Sequence, residues 1–89
     1  MQMKVVFLKD VDGEVFAYFP FEEWCNGTMT CYAHIGQHSA CHPFYAKKCK
    51  EAKKSEYLPL LSELISIGYQ GLEIITKKQA KAFYEYLAQ

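Results

Sequence analysis

The sequence contains no arginine, so all ten of its basic residues are lysines. Arginine supplies the planar fork that best matches phosphate groups and guanine edges, and its absence disfavours nucleic-acid binding. Ten acidic residues bring the net charge to zero, but the charge is uneven. Residues 26–54 hold five lysines against one acid, a net charge of +4. The lysines of residues 47–54 could therefore bind either of two partners, a nucleic-acid backbone or an acidic protein.

The chain also lacks any apolar run near the roughly 20 residues that a membrane span requires. Its first apolar run, residues 5–8, is short and closed by charges, which is unlike the h-region of a signal peptide. We therefore expect a cytoplasmic protein with no membrane partner. Disulfides are rare in that compartment, so free thiols or metal ligands are expected at all four cysteines: Cys25, Cys31, Cys41 and Cys49.

Eighty-nine residues are too few for two cores, so residues 1–89 are expected to form a single domain. Half of them are hydrophobic and 16% are aromatic, which is enough for a packed interior. The sequence does not distinguish a monomer from a homodimer.

Local patterns predict an α+β fold with a small antiparallel sheet, in the order β-β-β-α-β-α. Asp12-Gly13 lies between two β-rich runs and predicts a hairpin, whose second strand should end at Pro20. Residues 28–35 alternate and predict a third strand after the Asn26-Gly27 turn, with Tyr32 and His34 on its polar face. Residues 36–54 have no clear period and are assigned to a loop with at most one short helical turn.

The second half of the chain predicts two helices and one more strand. An apolar stripe at Tyr57, Leu60, Leu61 and Leu64 precedes Gly68, which is typical of a helix with a glycine C-cap. Pro59 should lie in the first turn of that helix or mark its true start. Residues 72–76 predict a strand, and Thr76 with Gln79 fits the capping box of a final helix that includes Phe83, Tyr84 and Leu87. The helices are expected to pack on one face of the sheet.

Residues 32–42 concentrate the unusual chemistry. His34, His38 and His42 recur every four residues near Cys41, so a zinc site is one hypothesis, with His38, Cys41 and His42 as ligands. The cysteines lack the Cys-x2-Cys pairing that is typical of structural zinc sites, which favours no cofactor. A second hypothesis is a small hydrolytic enzyme in which His34 or His38 transfers protons beside Tyr32, or in which Cys41 is the nucleophile.

The motif Tyr32-Ala33-His34-Ile35-Gly36-Gln37-His38 resembles that of an uncharacterised family of small bacterial, phage or mobile-element proteins with a Tyr-x-His-x-Gly-Gln-His core. The similarity extends over residues 4–75 and includes a second segment, from Glu56-Tyr57 through Glu63-Leu64 to Gly68-Tyr69. The resemblance implies that the motif residues act together, as a loop-fixing unit or a recognition surface, and it implies no activity. Cys41 and His42 depart from the family pattern.

The leading hypothesis is a non-enzymatic cytoplasmic module that presents residues 32–54 to a protein partner. Polar and aromatic residues gather in that segment, and no recognisable catalytic set accompanies them. The candidate binding residues are Tyr32, His34, Gln37, His38, Lys47 and Lys48.

Overall fold

The computed structural model describes residues 3–25, 27–33 and 37–80 and contains six strands and two helices in that part of the chain, followed by helical residues 77–80. Their order is β1 (Met3–Lys9), β2 (Val15–Cys25), β3 (Thr28–Ala33), β4 (Gln37–Cys41), α1 (Pro43–Lys48), β5 (Lys50–Glu51), α2 (Lys54–Ser66) and β6 (Leu72–Ile74). The strands form one sheet in the order β4-β3-β2-β1-β5, in which β6 also pairs with β1. The predicted α+β class with an antiparallel sheet is confirmed.

The β1–β2 hairpin forms at the predicted turn. Gly13 has φ +83°, in the left-handed region that glycine adopts without strain. The side chain of Asp10 accepts hydrogen bonds from the backbone N–H groups of Asp12 and Glu14 at 2.9 and 3.0 Å. These bonds satisfy backbone N–H groups within the turn itself. Residues 10–14 therefore join the two strands as the sequence predicts.

Strand β2 does not end at Pro20, contrary to the prediction. It runs to Cys25, and its pairing with β3 jumps from Phe19 opposite Thr30 to Glu23 opposite Met29. Proline cannot donate to a ladder, so it is tolerated in a strand where the pairing is interrupted. The irregular register places Pro20 in such an interruption, and the strand resumes beyond it.

The segment predicted as a loop is largely regular structure. Residues 37–41 form β4, which pairs antiparallel with β3 along its whole length. His42 then caps α1, and Pro43 occupies its first turn, where no N–H is needed. Residues 37–40 are all exposed, so the β4 sequence does not alternate between polar and apolar residues. The strand therefore could not be predicted from hydrophobic periodicity.

Both faces of the sheet are covered, whereas helices on one face were predicted. On one face, Leu60 and Leu64 of α2 pack against Phe7, Ala17, Phe19 and Tyr32. On the other, Ala46 of α1 joins Val6, Leu8, Tyr18 and Cys31. Residues 5–8 are all buried, as in a strand enclosed on both faces. Tyr32 is therefore only 3% exposed rather than on a polar face.

Helix α2 has the predicted stripe and C-cap, but Pro59 lies in its second turn rather than its first. At its amino end, the Glu56 carboxylate accepts a hydrogen bond from the Lys53 N–H at 2.8 Å. At its carboxyl end, Gly68 has φ +116° and the Tyr69 N–H donates to the carbonyl of Leu64. This pattern is a Schellman motif, and it directs the chain back towards the sheet.

Strand β6 confirms the predicted fourth strand in shortened form, and it pairs in parallel with β1. The Thr76 capping box is also confirmed, because its N–H donates to Gln79 Oε1 at 2.8 Å and its hydroxyl accepts from the Gln79 N–H. The remaining residues of the predicted last helix, from 81 onwards, lie outside the described residues. In the described part of the chain, no helix combines the length and apolarity needed to span a membrane.

Candidate functional site

The candidate site is a cluster of polar aromatic groups between the β3–β4 ribbon and the end of α2. Tyr32 and His38 are directly opposite each other on the two strands. Their ring centroids are 4.8 Å apart at an interplanar angle of 63°, an edge-to-face contact. His34 lies outside the described residues, together with residues 35 and 36. The structure describes the other members of the predicted motif, which are Tyr32, Ala33, Gln37 and His38.

Tyr69 joins the cluster from the turn after α2. Its hydroxyl lies 2.7 Å from Nε2 of His38, a short hydrogen bond, and its ring stacks on Phe19 at 5.3 Å. Burial is the main cause that raises the pKa of Tyr69, and the nearby charge of Glu22 adds to it. Because the Schellman motif at Gly68 fixes the direction of the chain here, the C-cap of α2 positions this hydroxyl over β4.

Glu63 is the fourth member of the cluster and comes from the last turns of α2. Its carboxylate accepts a hydrogen bond from the Tyr32 hydroxyl, which is the largest cause of a raised pKa at Tyr32. The carboxylate stabilises the protonated phenol and would repel a phenolate. Tyr32 is thus held neutral and fixed between α2 and β4.

The chemistry of the Tyr32, His38, Glu63 and Tyr69 cluster favours a positioning role. Each of the three aromatic side chains contacts another member of the cluster, so the polar groups are engaged with one another. The nearest cysteine on β3, Cys31, belongs to the core on the opposite face. One open cavity of about 390 Å³ lies elsewhere, lined by Phe7, Lys53, Tyr57 and Ile74 among others. We conclude that the cluster ties β4 to α2.

The three alternative zinc ligands are not brought together. His38 faces Tyr69, whereas Cys41 is buried in the core on the α1 side. Nδ1 of His42 accepts the N–H of Phe44 at 3.2 Å, and its ring stacks on that phenylalanine. Within residues 3–25, 27–33 and 37–80, no group of three histidine, cysteine or acidic side chains has an arrangement that could hold a metal ion.

The other predicted binding residues fall in two places. Gln37 begins β4, is exposed and lies opposite Ala33. Lys47 and Lys48 are exposed in the last turn of α1, where their charges complement the carboxyl end of the helix. Because α1 packs on the opposite face of the sheet from Tyr32, these lysines are separate from the cluster.

Two cluster residues, Glu63 and Tyr69, were not among the predicted site residues. Both lie in the second segment of the predicted family resemblance, which stays a prediction. The two segments of that resemblance, one on β3–β4 and one on α2, meet in this cluster.

Comparisons with known proteins identify no relative. No family model, no curated protein and no solved structure matches this chain. The function is therefore inferred from the geometry of the described residues.

The outer edge of β4 is the second feature of the site. The sheet order ends at β4, and none of the described residues pairs with its outer side. Residues 37–40 are all exposed. Beyond the end of the strand, Phe44 of α1 is 64% exposed and Tyr45 is 46% exposed. The ring of Tyr45 stacks on Phe16 of β2, with centroids 6.2 Å apart, so Phe44 is the aromatic residue that follows the exposed edge without packing on the inner strands.

Proposed function

We propose that this protein is a non-enzymatic module that binds an extended, acidic segment of a partner protein along the outer edge of β4. The single observation that carries the proposal is that β4 ends the described sheet without the usual protection. Natural edge strands are commonly blunted by lysine, proline or a bulge. Strand β4 contains no lysine and no proline, and it pairs with β3 without a register shift, so it has no bulge.

The cluster supports this proposal because strand addition requires a rigid template. Main-chain hydrogen bonds supply affinity in this mode of recognition, and side-chain contacts supply specificity. The His38–Tyr69 hydrogen bond and the Tyr32–His38 contact hold β4 against the body of the domain. An edge that is already ordered loses less entropy when the partner strand binds.

The flanking helix favours the chemistry of the partner. Phe44 offers apolar contact area immediately after β4, and exposed aromatic side chains are frequent anchors of interfaces. Lys47 and Lys48 follow in the last turn of α1 and are exposed, whereas Lys50 belongs to β5 at the opposite end of the sheet. This excess of positive charge favours an acidic segment. A cytoplasmic location remains a prediction that fits this proposal.

The test begins with selection of short peptides from a displayed random library on the full-length chain. We expect the selected peptides to be extended and acidic. Hydrogen exchange of the complex should slow the amides of residues 37–41 by roughly tenfold or more, because strand addition protects edge amides. Protection confined to another surface, or a library that gives no binder, would refute the proposal.

Variants on the strand and helix sharpen the test. Backbone N–H groups alternate between the two edges of a strand, so Ser39→Pro and Ala40→Pro remove donors on opposite sides of β4. One variant should keep its thermal stability and lose peptide binding, whereas the other should lose stability. Phe44→Ala should also weaken binding, while Ile65→Ala, a truncation at a similarly exposed residue on α2, should leave it unchanged.

Two other results would replace the proposal. Tight binding of a single-stranded oligonucleotide that weakens steeply with salt would instead support nucleic-acid recognition by the lysines of residues 47–54. One equivalent of zinc in the purified protein, lost in His38→Ala, would support the metal hypothesis.

A further inference from the structure

A pair of buried cysteines lies on the face of the sheet opposite the cluster. In the pairing of β3 with β4, Cys31 is opposite Ser39 and Cys41 is opposite Met29. Cys31 and Cys41 are therefore diagonal neighbours, and both belong to the core that includes α1. They are 8% and 5% exposed, and both are free thiols.

The environment of the pair distinguishes the two sulfur atoms. A hydrogen bond with the Cys41 thiol is the largest cause that lowers the pKa of Cys31 to about 6, with a further contribution from Ser39 that burial opposes. The Ser39 hydroxyl oxygen lies 3.2 Å from the Cys31 sulfur. The same contact with Cys31, followed by burial, raises the pKa of Cys41. The shared contact therefore lowers the pKa of Cys31 and raises that of Cys41, whose thiol also lies 3.7 Å from the carbonyl oxygen of His42.

We propose that Cys31 and Cys41 form a dithiol that hydrogen peroxide converts to an intramolecular disulfide. The Cys31 sulfur attacks one peroxide oxygen, the O–O bond breaks, and water leaves with a sulfenic acid on Cys31. The Cys41 sulfur then attacks that of Cys31, the S–O bond breaks, and a second water leaves. Two thiols lose two electrons and two protons, and one peroxide is reduced to two waters.

Closure of this disulfide would move β4. Diagonal partners on neighbouring strands have Cα atoms about 7–8 Å apart, whereas a disulfide prefers roughly 4.4–6.8 Å. Among the described residues, β4 pairs only with β3, so a shift breaks no second ladder but strains the β3–β4 pairing and the His38–Tyr69 hydrogen bond. This inference does not depend on the proposed function.

The test uses the full chain with Cys25→Ser, which removes the exposed cysteine and leaves the three buried ones. After treatment with hydrogen peroxide, the mass should fall by about 2 Da, and only one of the three thiols should be alkylated by iodoacetamide after denaturation. Chymotrypsin cleavage after Trp24, Tyr32 and Phe44 should give residues 25–32 joined to residues 33–44. Dithiothreitol should restore all three thiols.

Further variants in the same background assign the roles. Cys49→Ser, a change at the third buried cysteine, should leave the disulfide intact. Cys41→Ser should stop at a sulfenic acid, about 16 Da heavier and trapped by dimedone. A Cys41–Cys49 disulfide, or peroxide treatment that leaves all three thiols alkylatable, would overturn the proposal. The peptide map itself needs no substitution in the core, so a variant that fails to fold does not affect the decision.

Discussion

The hydrogen bond between His38 and Tyr69 makes a measurable prediction about the stability of β4. Tyr69→Phe removes the hydroxyl that lies 2.7 Å from Nε2 of His38 and keeps the ring that stacks on Phe19. A hydrogen bond of this kind contributes about 0.5–1.5 kcal/mol to the free energy of unfolding. Because His38 is exposed, we expect the lower half of this range, about 0.5–1 kcal/mol. In a domain of this size, that loss lowers Tm by roughly 2–8 °C.

A double-mutant cycle isolates the hydrogen bond from other effects of the substitution. His38→Phe keeps a ring beside Tyr32 and removes both nitrogen atoms, so it is the second arm of the cycle. Urea unfolding of the two single variants and the double variant should give a coupling energy of about 0.5–1 kcal/mol. Tyr57→Phe, on a tyrosine whose ring stacks on Phe7, is the control for loss of a hydroxyl on the same face.

Local exchange tests whether this bond holds β4 in place. In Tyr69→Phe, the amides of residues 37–41 should exchange faster than in the parent chain, while those of β1 and β2 should be unchanged. A coupling energy below about 0.3 kcal/mol is within the usual additivity of independent sites. That result, together with unchanged exchange in β4, would refute the positioning role of the cluster.

Three further predictions concern α2. Gly68→Ala should destabilise the protein by about 1 kcal/mol in urea unfolding, because φ +116° is strained for a residue with a Cβ. Pro59→Ala should stabilise it by about 1–3 kcal/mol in the same assay, since alanine restores an N–H in the second turn of the helix. A hydrogen bond from Lys9 is the main cause that lowers the pKa of Glu56, so this carboxylate stabilises the fold above its unfolded pKa and loses that effect as pH falls through its folded pKa. Lys9→Met should therefore flatten the loss of Tm between about pH 5 and pH 3; a loss as steep as in the parent chain would contradict this.

Local signals in the sequence predicted the parts of the fold that local interactions determine. The Asp12-Gly13 turn, the Gly68 cap and the Thr76 capping box each satisfy backbone hydrogen-bonding groups within a few residues, and the apolar stripe of α2 follows the helical period. Their physical causes are therefore visible in short stretches of sequence.

The missed features depend on contacts between distant residues. Strand β4 has four exposed residues and no alternation, so only its pairing with β3 defines it. The continuation of β2 past Pro20 depends on an interruption of the ladder that involves another strand. Tyr32 was placed on a polar face because alternation was assumed to have one buried side, but α2 covers that side. The cluster also depends on contacts between distant residues. Tyr32 and His38 were predicted as site residues, whereas Glu63 and Tyr69 were included only in the predicted family resemblance.

The parallel pairing of β1 with β6 has a consequence for the order of folding. Strand β1 is paired by β2 through a short hairpin, and β2, β3 and β4 follow as neighbours in sequence, so this meander can form from local contacts. The other edge of β1 pairs Met3 with Leu72 and Leu8 with Glu51, which must close much longer loops. During synthesis that edge stays open until residues 50–74 have emerged. The nascent chain is therefore most prone to mispairing at β1, although this strand lies inside the finished sheet. The outer edge of β4 becomes prone to mispairing only later.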